Sequence, residues 1–218
     1  MPLDNLNPLS REDHYRLTAA SGWLELGNLT EANRELDAIT PAFRVHPDAL
    51  EVRWQIYAEQ KMWIAAFEIA TAICELDPER PSGWICQAYS LNESDRTQKA
   101  CEVLQKVVEN FPNLPIIPYS LACYTCRLGR PDQAWLWLEM AAARGNSRNV
   151  ARLALQELDL KPLWSRLKAK LAVRKPVVRS APARRSWRTA KKLLFALFAQ
   201  HLQTAVEKKS GSRFRSIS

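Results

Sequence analysis

Glycine is scarce, six in 218 residues, and histidine scarcer still, three. No glycine-rich loop precedes a helix, which excludes a phosphate cradle of the P-loop or dinucleotide type. His14, His46 and His201 stand in three different contexts, and no nucleophile, base and stabiliser gather around any of them. The chain is therefore not expected to be an enzyme. Uninterrupted apolar runs fall short of the ~20 residues that cross a bilayer. Met1 to Arg11 lacks a basic segment followed by an apolar one, so no secretory signal is expected.

Cysteine is also sparing and odd in number: Cys74, Cys86, Cys101, Cys123 and Cys126. A chain of this length builds a core without disulfide staples, so reduced thiols and a cytoplasmic location are expected. Cys123-Tyr124-Thr125-Cys126 is a CxxC, but zinc takes four ligands and no second pair has suitable spacing. Packing is the expected role of these sulfurs, with no metal and no cofactor.

Acidic residues are nearly missing from one end. Residues 1–160 carry 15 Lys/Arg against 22 Asp/Glu, whereas residues 161–218 carry 16 Lys/Arg and the single acid Glu207. The overall +8 thus averages an acidic body at −7 and a basic tail at +15. Such asymmetry points to an anionic partner for the tail, or to the body itself.

What the chain does have is a period. Ala32, Ala66, Ala100 and Ala134 are spaced 34 residues apart, the length of a helix-turn-helix solenoid repeat. A small residue near the start of the second helix of each pair lets the two axes approach to ~8–10 Å. In this register the units begin at Asp13, Pro47, Pro81 and Pro115, and proline suits a first helical turn, where its missing N–H is not needed. Ala66, Ile69, Ala70 and Ile73 follow the spacing of an amphipathic helix that Pro78 ends. Gly27 and Gly129 share one interhelix turn position, where positive φ is useful; Lys61 and Asp95 occupy it in the middle units. Pro41, with Arg44 where a closing proline is expected, predicts an early end to the second helix of unit one. Most of the eight tryptophans lie in the periodic region and are expected in the core.

These features resemble the tetratricopeptide repeat (TPR) family over residues 13 to about 148. Cys74-Glu75-Leu76-Asp77-Pro78 matches how such a repeat ends, and Trp84, Ala88, Ala100, Leu104, Val107 and Pro112 continue the pattern. The resemblance implies an all-α, right-handed TPR-type α-solenoid of four helix-turn-helix repeats with a C-terminal capping helix, for which residues 149–157 are the candidate, and a basic helical tail. It also implies a non-catalytic scaffold or adaptor that binds a protein or peptide segment in a concave groove lined by the first helices. Mapping the family's groove positions gives Glu25, Glu51, Gln55, Glu59, Tyr89, Glu93, Tyr119 and Arg127 as contacts. Their acidic bias favours a basic or amphipathic segment and disfavours the acidic C-terminal peptides that chaperone-binding members hold.

The expected organisation is an extension over 1–12, the array with its cap over 13–160, a short basic helix and linker over 161–185, an amphipathic basic helix over 186–209, and a disordered 210–218. Trp187, Leu194, Phe198, Leu202 and Ala205 share one face of the amphipathic helix. Arg184, Arg185, Trp187, Arg188, Lys191 and Lys192 are its candidate contacts. Three readings stay open for it: an anionic membrane surface, nucleic acid, or docking on protein, including the array itself. The alternative function is accordingly a peripheral membrane or nucleic-acid-associated factor acting through the tail. The sequence leaves oligomeric state open.

Overall fold

A computed structural model describes residues 9–172. The expected linker, amphipathic helix and tail over residues 173–218, with every candidate tail contact, and most of the N-terminal extension lie outside the described residues. The chain divides into two compact units between Phe111 and Pro112. Among the described residues all regular structure is helical.

The first unit consists of three helix hairpins: α1 (Arg11–Glu25) with α2 (Leu29–Ala38), α3 (Pro47–Glu59) with α4 (Trp63–Leu76), and α5 (Pro81–Glu93) with α6 (Thr97–Val107). Local chemistry sets the boundaries. Ser10 caps α1 by accepting from the Asp13 N–H, Asn28 caps α2, and prolines occupy the first turns of α3 and α5. The early end of α2 is as expected: it stops at Ala38, a 3₁₀ turn covers Pro41–Phe43, and Arg44 donates to the carbonyls of Asp37 and Ile39 at 2.6 and 2.9 Å. The side chain that replaces the closing proline therefore satisfies orphan carbonyls of the helix.

The turn inside each hairpin repeats in backbone as well as in sequence. Gly27, Lys61, Asp95 and Gly129 adopt φ of 78°, 59°, 59° and 76°. In each turn this residue's N–H donates three residues back and the next N–H donates five back, as in Asn28 to Trp23 and Arg130 to Thr125. This is the Schellman closure, in which a left-handed residue satisfies the last carbonyls of a helix.

Ala32, Ala66, Ala100 and Ala134 are fully buried. Hairpins also close on one another: a Cβ on Gly83 of α5 would stand 2.9 Å from Cys74 Sγ and 3.1 Å from the Cys74 amide nitrogen of α4. Leu17, Ala20, Leu36, Ile39, Val52 and Ile56 belong to one core cluster joining the first two hairpins. Tryptophan departs from expectation: Trp54 is buried, Trp23 is exposed, and the other described tryptophans are half-buried. Their indoles act as amphipathic edges, with Trp84 Nε1 donating to the Pro78 carbonyl and Trp164 Nε1 to that of Ala154.

The second unit is α7 (Ile116–Arg127) paired with α8 (Pro131–Arg144), then α9 (Ser147–Ala154), a 3₁₀ segment Leu158–Leu163 and α10 (Trp164–Ala172). The 3₁₀ segment packs on α7, burying Leu160 and Leu163. Helix α10 packs against the 3₁₀ segment and α9 and reaches α8 through its long side chains: Arg166 pairs with Asp132 at 2.8 Å, Lys170 pairs with Glu139 at 2.9 Å, and both cations sit over the Trp135 ring, at 4.5 and 5.3 Å from its centroid. The start of the basic region thus closes the second unit. No helix among the described residues is long and apolar enough to cross a membrane.

Candidate partner-binding face

The first helices α1, α3 and α5 lie side by side, α3 touching both of the others, and six of the eight candidate contacts fall on them. Three of the six hold the same repeat position: α1 ends on Glu25, α3 on Glu59 and α5 on Glu93. None of these helices has a basic residue in its last turn. A helix C-terminus carries roughly half a negative charge from its aligned peptide dipoles, so a carboxylate there is unfavourable and adds to an existing negative field. Glu25 and Glu59 are exposed and Glu93 is half-exposed, with its Oε1 accepting from Asn92 Nδ2 at 3.2 Å. The result is a row of carboxylates backed by helix ends of the same sign. Gln55, half-exposed, lies one turn earlier on α3.

The other candidates are engaged within the fold. Glu51 Oε1 is held by Arg80 Nη1 at 2.9 Å and accepts the Ser82 hydroxyl; the same nitrogen reaches Asp48 Oδ1 at 2.6 Å, while Arg80 Nε reaches Asp77 Oδ2 at 3.3 Å. Burial pulls the Arg80 pKa down, but the facing carboxylates of Glu51 and Asp48 outweigh it and hold the guanidinium above its usual value. Tyr89 is 8% exposed and meets Trp54 and Trp63 edge-on, at 5.9 and 5.8 Å between centroids. It supports the face from beneath instead of presenting a surface.

In the second unit the corresponding face is covered. Tyr119 is 4% exposed, and Cys123 and Cys126 are buried with it. Burial pushes the Tyr119 hydroxyl and both thiols upward, and the nearby acids add to this, Glu157 and Asp159 for Tyr119 and Cys123, Asp159 for Cys126. Tyr119 is therefore not a surface contact: the chain after α9 folds back over it. Arg127, the last residue of α7, is exposed and puts a cation at the repeat position that Glu25, Glu59 and Glu93 hold in the first unit.

Two features of this region were not read from the sequence. Arg80 just before Pro81 gave no signal in a one-dimensional pattern, because two of its three acidic partners, Glu51 and Asp48, are 29 and 32 residues away. Glu157 is buried at 2% exposure, and its pKa is raised to about 7, first by burial and then by the neighbouring Asp159 charge. Its place immediately before the Leu-Asp-Leu segment was the readable sign of a capping residue; Oε1 faces the Asp159 N–H at 3.5 Å.

No protein-family model and no curated protein matches the sequence. Solved structures do. MamA 41-end from Desulfovibrio magneticus RS-1 superposes with a TM-score of 0.57 at 14% identity, over 78% of this chain and 100% of that one. A second MamA structure gives 0.57 at 15% identity, over 78% and 98%, and a MamA RS-1 double mutant gives 0.54 at 14%, over 63% and 77%. At such identities the likeness speaks for architecture alone, and with the hairpins, turns and buried alanines described above it assigns the chain a TPR-like α-solenoid fold.

Proposed function

We propose that this chain is a non-catalytic protein-interaction scaffold that receives a basic or amphipathic segment of a partner along the first-helix face of its first unit. Glu25, Glu59 and Glu93 supply the charge, Gln55 supplies hydrogen bonds, and the Trp54–Tyr89–Trp63 cluster holds the face rigid. The observation that carries this reading is the placement of three carboxylates at three helix C-termini, where each opposes the local dipole. Charge of one sign, concentrated and uncompensated on a rigid face, steers and orients an oppositely charged partner.

A labelled basic amphipathic peptide, titrated against the full chain by fluorescence anisotropy, tests the proposal. The triple variant E25K/E59K/E93K is expected to weaken binding roughly tenfold or more. Affinity within twofold of wild type would remove this face as the binding surface.

A further inference from the structure

A second surface of the first unit has the opposite chemistry. Phe67 of α4, Gln87 and Leu91 of α5, and Arg96, Lys99, Glu102, Val103 and Lys106 at the start of and along α6 line a cavity of about 260 Å³. Lys99, Val103 and Lys106 are spaced i, i+4, i+7, so one face of α6 presents an apolar side chain between two ammonium groups. Arg96, Lys99 and Lys106 are exposed, and none has an ion-pair partner among the described residues. The one acid of the lining, Glu102, has Oε1 accepting from Gln98 Nε2 at 3.2 Å. Gln87 donates to Thr71 Oγ1 at 2.9 Å, which engages the polar group of the floor inside the fold. What remains open is the half-buried apolar surface of Phe67 and Val103, with Leu91 buried behind it, flanked by three cations.

The geometry points to a docking site for an acidic peptide segment that inserts one large apolar side chain between α4 and α6 while its carboxylates meet Arg96, Lys99 and Lys106. The cavity lies below the ~300–1,000 Å³ of small-molecule sites, a size suited to a side chain. A single strand of nucleic acid would use the cations, but it gains its base affinity by stacking on open aromatic faces, and the single aromatic ring of the lining, Phe67, is half-buried. This site is separate from the first-helix face and takes a partner of opposite charge, so either assignment can fail without the other.

The test uses the full chain and two fluorescein-labelled peptides of equal length, one with Asp and Glu around a central Leu-Phe pair and one with Lys and Arg around the same pair. Anisotropy is read at ~150 mM salt, where exposed long-range attraction is screened beyond ~8 Å. The variant K99E/K106E is expected to lose the acidic peptide roughly tenfold or more and to bind the basic one more tightly than wild type does. An unchanged far-UV spectrum and urea midpoint for the variant separate this gain from misfolding. Replacing Leu-Phe by Ser-Ser in the acidic peptide is expected to weaken wild-type binding at least tenfold, the scale of one buried large apolar side chain. The proposal falls if the reversal leaves acidic-peptide affinity within twofold, or if the Ser-Ser peptide binds as well as its parent, which would place the binding on the basic C-terminal residues. It falls too if a labelled single-stranded oligonucleotide binds more tightly than the peptide and loses that affinity on the same reversal.

Discussion

Arg80 Nη1 lies 2.9 Å from Glu51 Oε1, joining the residue before α5 to the first turns of α3. The same guanidinium holds Asp48 and Asp77, so one cation ties three acids drawn from α3 and from the loop after α4. With Arg80 and Glu51 only about a fifth exposed, Arg80→Met leaves clustered carboxylates without their counter-charge. The variant is expected to lose about 2–3 kcal/mol of stability, read as a shifted urea midpoint with an unchanged slope. Binding of a basic peptide to the Glu25, Glu59 and Glu93 row is expected to survive in whatever fraction stays folded.

The row itself should cost stability. Neutralising each glutamate as E25Q, E59Q and E93Q removes one unfavourable charge from a helix C-terminus and is expected to stabilise the chain by about 0.3–1 kcal/mol per site at low salt, the gain shrinking as salt rises. The triple variant E25Q/E59Q/E93Q is expected to bind the basic peptide more weakly. Opposite signs in the two measurements distinguish a functional acidic row from an idle solvated face, since residues kept at a stability cost are those that activity requires.

Lys61 and Asp95 hold turns that Gly27 and Gly129 hold elsewhere, at φ of 59° in both cases. A side chain with a Cβ is disfavoured in the left-handed region by roughly 1–2 kcal/mol, part of which glycine returns through its greater unfolded-state entropy. Lys61→Gly is expected to stabilise by about 0.5–1 kcal/mol, measured by thermal or urea unfolding. Gly83→Ala should do the reverse. Its new methyl would meet Cys74 Sγ and the Cys74 backbone nitrogen at 2.9 and 3.1 Å, forcing α4 and α5 apart at a cost of about 1–3 kcal/mol.

The parts of this architecture that sequence revealed are those encoded locally and repeated. The alanine spacing, the first-turn prolines and the turn glycines each report a backbone requirement met within a few residues, and each recurs once per hairpin. The carboxylate row was legible for the same reason, being one position read three times. Glu51 and Tyr119 were not, because their exposure depends on chain far away in sequence: Arg80 returns to neutralise Glu51, and the Leu158–Leu163 segment covers α7. A repeat register says which way a side chain points but not what arrives on top of it. The α6 pocket was hidden in another way. Its lysine spacing was readable, yet the floor comes from α4 and α5, whose approach only tertiary packing sets.

Glu157 gives the second unit a dependence on pH with a definite sign. It is buried, faces the Asp159 charge, and titrates near 7 in the folded chain against its usual 4.5. Below 4.5 both folded and unfolded forms carry the proton and the group makes no difference. Between 4.5 and about 7 the folded form binds more protons than the unfolded one, so stability falls as pH rises; above about 7 the penalty stays constant. Asp159 is raised in the same direction, by burial against the opposing pull of Arg127, and Tyr119 and Cys123 titrate well above this window. Glu157→Gln keeps an acceptor for the Asp159 N–H and removes the charge. It is expected to stabilise the chain at pH 8, to be nearly neutral at pH 4.5, and to flatten the difference between them. A pH profile of urea midpoints for both forms checks this, and parallel profiles would show that the carboxyl of Glu157 stays solvated in the folded chain.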